Sequence, residues 1–334
     1  MNRIHLTQLA VLVLFFASTS LTRAQTAKPV KFYMKAAGGY FFSVSPGQFP
    51  DVGPYPPRDQ RNAVNPATGE TTVISEKVLT GSYGAGARGG LTFGYQLNPY
   101  LALEGTFNYF RSRENLMTRN ITTIEGTTTV AGSVESRGYV NAVDFAPSLV
   151  ISPGYDKLNP YVRFGMVVPL WGRLNIETDA TRTSAVPGQP ANVVAQTSIH
   201  RKEEVHPNPT IGFQGALGAT YAISPRLDIF LEAEYRNVPV KSKNKEVTIY
   251  DERTTVINTT NGQVISQQSR GLGDLSTAER ETRYVTILDQ NSNTPIGSSG
   301  TETNYKNDDA PADELKSYIN IGGLGANLGI RIRF

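Results

Sequence analysis

The sequence contains no cysteine. That excludes disulfide scaffolds, thiolate zinc sites, iron–sulfur clusters and thiol nucleophiles. Histidine is almost as scarce, at three in 334 residues, and tryptophan occurs once. No run of 18 apolar residues is present, which excludes a polytopic helical membrane protein. Nor does one charge dominate: 32 Lys and Arg face 29 Asp and Glu. Arg3 and Arg23 belong to the N-terminal segment described next, and without them the count is 30 against 29. There is no basic excess to suggest nucleic acid as a partner.

What is present begins with an address. Asn2, Arg3 and His5 form a polar, positive start. Leu9 to Ala17 is a nine-residue apolar stretch, too short to cross a bilayer as a helix. Thr22 and Ala24 put small residues at −3 and −1 of a cut before Gln25. This layout predicts a secretory signal peptide over residues 1–24 and an exported chain over 25–334.

The exported chain reads in steps of two. Phe32, Met34, Ala36, Gly38, Tyr40 and Phe42 alternate with a face that carries Lys35. The same pattern recurs around Arg88, around Glu104, around Asp144, around Arg163, along 211–221, around Asp228, Glu232, Glu234 and Arg236, and from Tyr318 to Phe334 around Arg331 and Arg333. Eight segments alternate, and all eleven of these charges fall on one parity, opposite the apolar face. Such segments suit strands with one greasy and one ionic side.

A soluble sandwich and a membrane barrel both allow that pattern, and the connections separate them. They run about 38, 4, 25, 9, 36, 3 and 77 residues. Strict long–short alternation gathers the tight turns at one end and the long loops at the other, as outer-membrane barrels do. Aromatic residues bracket the apolar stretches: Tyr40, Tyr109, Tyr139, Tyr235 and Tyr318 toward the long loops, Tyr95, Tyr221 and Phe334 toward the turns. Rings at both ends are what interfacial girdles require. In hydrocarbon every backbone polar group must pair, so the sheet must close. The predicted fold is therefore all-β: an antiparallel up-and-down transmembrane barrel of eight strands. Its turns are periplasmic, and its long external loops cover about 45–82, 112–136, 173–208 and 238–314. Ten strands is the alternative count, because 246–258 and 283–290 are strand-like; both carry charge on both parities and read better as hairpins above the membrane.

Four stretches carry a family resemblance: GYQLNPYLALEGTFNYF (Gly94–Phe110), NPYVRFGMVVPL (Asn159–Leu170), GALGATYAISPRLDIFLEAEYR (Gly215–Arg236) and GANLGIRIRF (Gly325–Phe334). They resemble the outer-membrane β-barrel domain family of OmpA/OmpX type, often labelled "porin family". The resemblance covers strands and turns but not the long loops. It implies residence in the outer membrane of a Gram-negative bacterium, among outer-membrane lipid and lipopolysaccharide. It also implies that terminal Phe334 is read by the outer-membrane assembly machinery. It carries over no catalytic residues.

Candidate chemistry elsewhere is thin. The Gly-rich run Gly84–Gly90 lacks the Lys-Ser/Thr and following helix of a phosphate cradle, and reads as close strand packing. His200, Glu203, Glu204 and His206 match no compact metal motif and read as a solvated charged loop. Both histidines of the exported chain lie in that loop, and no Gly-x-Ser-x-Gly elbow occurs, so no enzyme, metal or cofactor is expected. Lys35, Arg88, Arg163, Arg236, Arg331 and Arg333 nearly balance Glu104, Asp144, Asp228, Glu232 and Glu234. An eight-stranded barrel is just wide enough for interior side chains to fill, which predicts a paired network. A pore lined by the same residues is the alternative. The expected role is structural or interactive at the cell surface, with the loops presenting a surface for an external ligand. A narrow diffusion channel comes second and an outer-membrane enzyme third.

Overall fold

The computed structural model describes residues 31–44, 46–208, 210–299 and 301–334. The expected signal peptide, with its cut before Gln25, lies outside the described residues.

Eight strands form a closed ring: β1 (Phe32–Phe42), β2 (Gly86–Asn98), β3 (Leu101–Ser112), β4 (Val130–Ile151), β5 (Leu158–Ala185), β6 (Gly212–Ala222), β7 (Leu227–Asn237) and β8 (Leu324–Arg333). Each pairs antiparallel with the next, and β8 returns to β1. Closure leaves the ring without a sheet edge, which hydrocarbon surroundings demand. The register fixes the geometry. A rung leaving β1 at Phe42 passes Leu324, Tyr235, Gly215, Phe164, Leu149, Leu103 and Tyr95, and re-enters β1 at Phe32. It comes back ten residues from where it began, so the strands must tilt to the barrel axis.

Period two decides which way each side chain points. Phe93, Phe107, Phe164, Leu217, Leu231 and Leu328 are between 47% and 66% exposed, one or more from nearly every wall strand, while Lys35, Arg88, Glu104, Asp144 and Arg163 on the other parity are buried. A fold with apolar residues outside and charges inside is the inverse of a soluble core.

The long connections are not loops. A membrane strand needs about 9–11 residues; β4 has 22 and β5 has 28. Their outer halves continue into a sheet beyond the ring. Its order is Thr71–Val78, Arg58–Val64, Asn115–Ile124, the ends of β4 and β5, Val193–Asn208, Pro239–Asn258 and Val264–Gly271. Arg58–Val64 runs parallel to Asn115–Ile124. These segments are rich in threonine and other β-branched residues, which favour strand. Four hairpin tips close on a glycine at positive φ: Gly69, Gly126, Gly188 and Gly262, a conformation that a Cβ disfavours.

The last apolar alternation is shorter than its pattern suggests. Tyr318–Asn320 is a separate short strand paired with Pro239–Lys241, and the barrel strand begins at Leu324. Tyr318 therefore does not belong to the final membrane strand. Tyr139 also leaves the girdle: it sits on the extended part of β4, under the Arg111 guanidinium at 4.8 Å.

Candidate functional site

The ring's inward parity brings the predicted charges together. Arg163 on β5 lies at the centre, 2.5 Å from Glu232, 3.4 Å from Glu234 and 3.9 Å from Glu104. Lys35 approaches Glu104 at 2.5 Å. Arg236 reaches Glu234 at 2.8 Å and Asp144 at 3.0 Å, and Asp144 also takes Arg88 at 3.3 Å. Lys35, Arg88, Arg163 and Arg236 thus interlock with Glu104, Asp144, Glu232 and Glu234, four charges of each sign in one connected cluster. Arg331 and Arg333 form a separate group on Asp228 at the short-turn end, at 2.6 and 2.8 Å.

Buried ions persist only when further hydrogen bonds offset their desolvation. Neutral residues supply these. Tyr33 donates to Glu104 and Tyr161 to Glu232, each at 2.8 Å. Asn327 donates to Glu232 and Glu234, Asn108 to Asp144, and Gln214 accepts from Arg236. The Arg88 guanidinium is also held between the rings of Phe41 and Phe110, at 4.6 and 4.7 Å. Sequence reasoning that followed charge alone passed over Tyr33, Tyr161, Asn108, Gln214 and Asn327. The signal was available for four of them, which share the charged parity of their strands; the strand of Gln214 carries no charge at all.

Apolar layers lie on either side of the cluster. Tyr33, Ala102, Val150 and Tyr161 pack toward the short turns. Toward the long connections Phe110, Met117, Val140, Val167 and Leu174 form a core with Phe49, Val52 and Tyr83, which fold in from the first long connection. Within the charged layer, the void lined by Lys35, Arg88, Glu104, Arg163, Glu232 and Glu234 is about 20 Å³, room for about one water.

The two other sequence candidates resolve simply. A Cβ at Gly84 would meet the backbone of Gly322, and one at Gly86 the backbone of Arg111; the glycines allow close packing. His200, Glu203, Glu204 and His206 lie on the strand Val193–Asn208 rather than on a loop. Alternation sends Glu203 to the opposite face from the other three. His200 Nδ1 is 2.8 Å from Asp179, and Glu203 is buried against Arg201 and Lys245. Among the described residues no group of three or more His, Asp or Glu is disposed to hold a metal.

A closed eight-stranded barrel with an apolar belt and an internally neutralised axis defines a transmembrane β-barrel protein. The family model of the outer membrane protein beta-barrel domain matches residues 9–264, and the chain belongs to that family. Membership places it in the outer membrane of a Gram-negative bacterium. Among solved structures it is similar to a major outer membrane protein from Thermus thermophilus, at 12% identity and a TM-score of 0.27 over 91% of this chain and 98% of that one. It is also similar to OmpT of Vibrio cholerae, in the trimer form, at 10% identity and a TM-score of 0.08 over 91% of this chain and 98% of that one. No curated protein matches the chain by sequence.

Proposed function

We propose that this protein is a sealed outer-membrane anchor that carries a folded β-sheet on the cell surface, where it serves a structural or binding role without catalysis. Its short turns face the periplasm and its extended sheet faces out. The observation that carries the reading is the filled lumen: the void lined by six of the eight interlocked charges is only about 20 Å³, and an apolar layer backs the cluster at each end. A narrow diffusion channel is the second reading, favoured only by the polar character of that lining. Outer-membrane lipid, lipopolysaccharide and the assembly machinery are its expected surroundings, with an external ligand for the sheet.

The test is single-channel recording of the purified protein in planar bilayers. The sealed reading expects no discrete openings at moderate voltage. Large, stable openings would select the channel instead.

A further inference from the structure

The barrel wall has a break. On one flank β5 pairs with β6 up to Val167–Gly212. It next pairs, in the same register, with the strand Val193–Asn208, starting at Leu174–Val205. Between these rows, among the described residues, neither ladder continues across 168–173. Prolines stand on both lips, Pro169 on one and Pro207 on the other. A proline has no N–H to give to a ladder, so prolines within a sheet mark edges and irregularities. The register of β5 with β4 shifts at the same place, between Pro169 and Trp171. That of Val193–Asn208 with Pro239–Asn258 shifts between His206 and Pro207.

Behind this break is a cavity of about 270 Å³. Its inner wall is apolar, formed by Val140, Ala142, Leu174, Val205, Val240 and Ile321, which belong to the barrel's apolar layer. Leu170 and Trp171 of the wall strand β5 line the cavity and are both exposed, which sets its mouth beside them in the wall. Three cations line it, of which Arg173 is paired with Glu204 at 3.3 Å. Lys241 and Lys243 line the pocket, stand on the exposed parity of Pro239–Asn258 and form no ion pair among the described residues. Lys241 instead lies 5.6 Å from the Tyr318 ring.

We propose that this side pocket takes one acyl chain of an anionic, phosphate-bearing lipid of the surrounding leaflet, with Lys241 and Lys243 receiving its head group. The chemistry of each part argues for that occupant. An entrance through the lipid-facing wall admits a molecule from the bilayer. The volume is near the small end of ligand pockets, about 300–1,000 Å³, and so accepts a chain rather than a whole lipid. Unpaired ammonium groups at the mouth of an apolar pocket match a negative head on an apolar tail. The proposal rests on the membrane placement above but not on the sealed lumen, and its test does not read conductance.

Trp171 is the only tryptophan in the sequence and lines the pocket, so its fluorescence reports the site. The protein would be reconstituted in phosphatidylcholine vesicles that contain a few mole per cent of lipid with brominated chains. Brominated phosphatidylglycerol should quench Trp171 at least roughly two-fold more than brominated phosphatidylcholine at equal fraction, and each lysine removed should weaken the affinity of the site for the anionic lipid by roughly five-fold, bringing the two quenching levels together. The double variant K241A/K243A should therefore lose the excess. So should Gly172→Leu, which keeps both lysines. A Cβ there would lie 3.8 Å from Ala142 Cβ and from Pro207 Cγ, in ordinary contact, and the longer side chain would extend into the pocket. Equal quenching by the two lipids would mean that Trp171 samples bulk bilayer only and would overturn the proposal. Persistence of the excess in K241A/K243A would do the same, as would stronger quenching by a brominated free fatty acid, which would assign the pocket to a soluble carboxylate.

Discussion

Arg236 holds Asp144 with both arms of its guanidinium, Nη1 to Oδ2 and Nη2 to Oδ1, each at 3.0 Å. The two residues stand on β7 and β4, with β5 and β6 between them in the ring. The pair therefore crosses the lumen instead of following the sheet. Because Asp144 also accepts from Arg88 on β2, one carboxylate ties three strands of which no two are ladder neighbours.

Removing that carboxylate leaves two guanidiniums buried without their main partner. Breaking one side of a buried ion pair costs about 3–5 kcal/mol, so Asp144→Ala should lower the unfolding free energy of the lipid-reconstituted barrel by an amount of that order and its urea midpoint with it. Asp144→Asn keeps an acceptor and should lower it less. A midpoint unmoved by Asp144→Ala would show that the cross-lumen tie contributes nothing.

The extended sheet has its own ionic centre, and its pH dependence has a definite sign. Burial pushes the Glu203 carboxyl up, but Arg201 and Lys245 outweigh it and hold the group below the usual carboxylate value. Burial pushes the Lys245 amine down, but Glu203 and Glu314 outweigh it and hold the amine above the usual lysine value. A depressed acid stabilises fully above its ordinary pKa and loses that contribution as pH falls through the folded value. A raised amine stabilises fully below its ordinary pKa and loses that contribution as pH rises through the folded one. Stability of the sheet should therefore be flat across neutral pH and fall in strong acid. In Lys245→Met the acid limb should move toward neutral, since Glu203 keeps only Arg201. Limited proteolysis across a pH series measures this, and superimposable acid limbs would refute it.

Deleting Lys243–Asp308 removes none of the eight ring strands. The barrel should still assemble and keep heat-modifiable migration on a gel. The strand Val193–Asn208 would lose a partner with which it pairs along nearly its whole length, and should become the preferred site of proteolysis in intact cells. Failure of the shortened protein to reach the membrane would count against the assignment of the wall.

Phe334 is 66% exposed, and its N–H bonds the Phe32 carbonyl at 3.0 Å. Its ring adds little to packing. Phe334→Ala should refold into detergent as the parent does, yet insert more slowly in cells if the ring is an assembly signal. Slow refolding in detergent would assign the residue to stability instead.

Parity made the barrel legible. The observed β1, Phe32–Phe42, coincides with its alternating segment, and β6 and β7 begin and end within two residues of theirs. The extended sheet was legible only in part: the strand-like stretch 246–258 is the arm of a hairpin with Val264–Gly271, as expected, but the rest was not. Its segments carry polar residues on both faces, so no periodicity separates inside from outside, and Thr71–Val78 is exposed at every position. Its order also depends on distant pairings, such as Arg58–Val64 beside Asn115–Ile124, which no local pattern encodes. The charges of the lumen could be named from the sequence but their partners could not: Arg236 meets Asp144 only because the ring closes with one particular stagger. The wall break was written in Pro169 and Pro207, and period-two counting alone passes over missing N–H groups.

The eight-membered cluster has equal numbers of each sign, and the void among them has room for about one water. A Donnan potential across the outer membrane does work only on net charge that can be displaced along it. The central cluster offers none, so changes in external salt that swing this potential should leave the pillar still, and any signal the protein passes inward must originate in what touches its outer sheet or its flank.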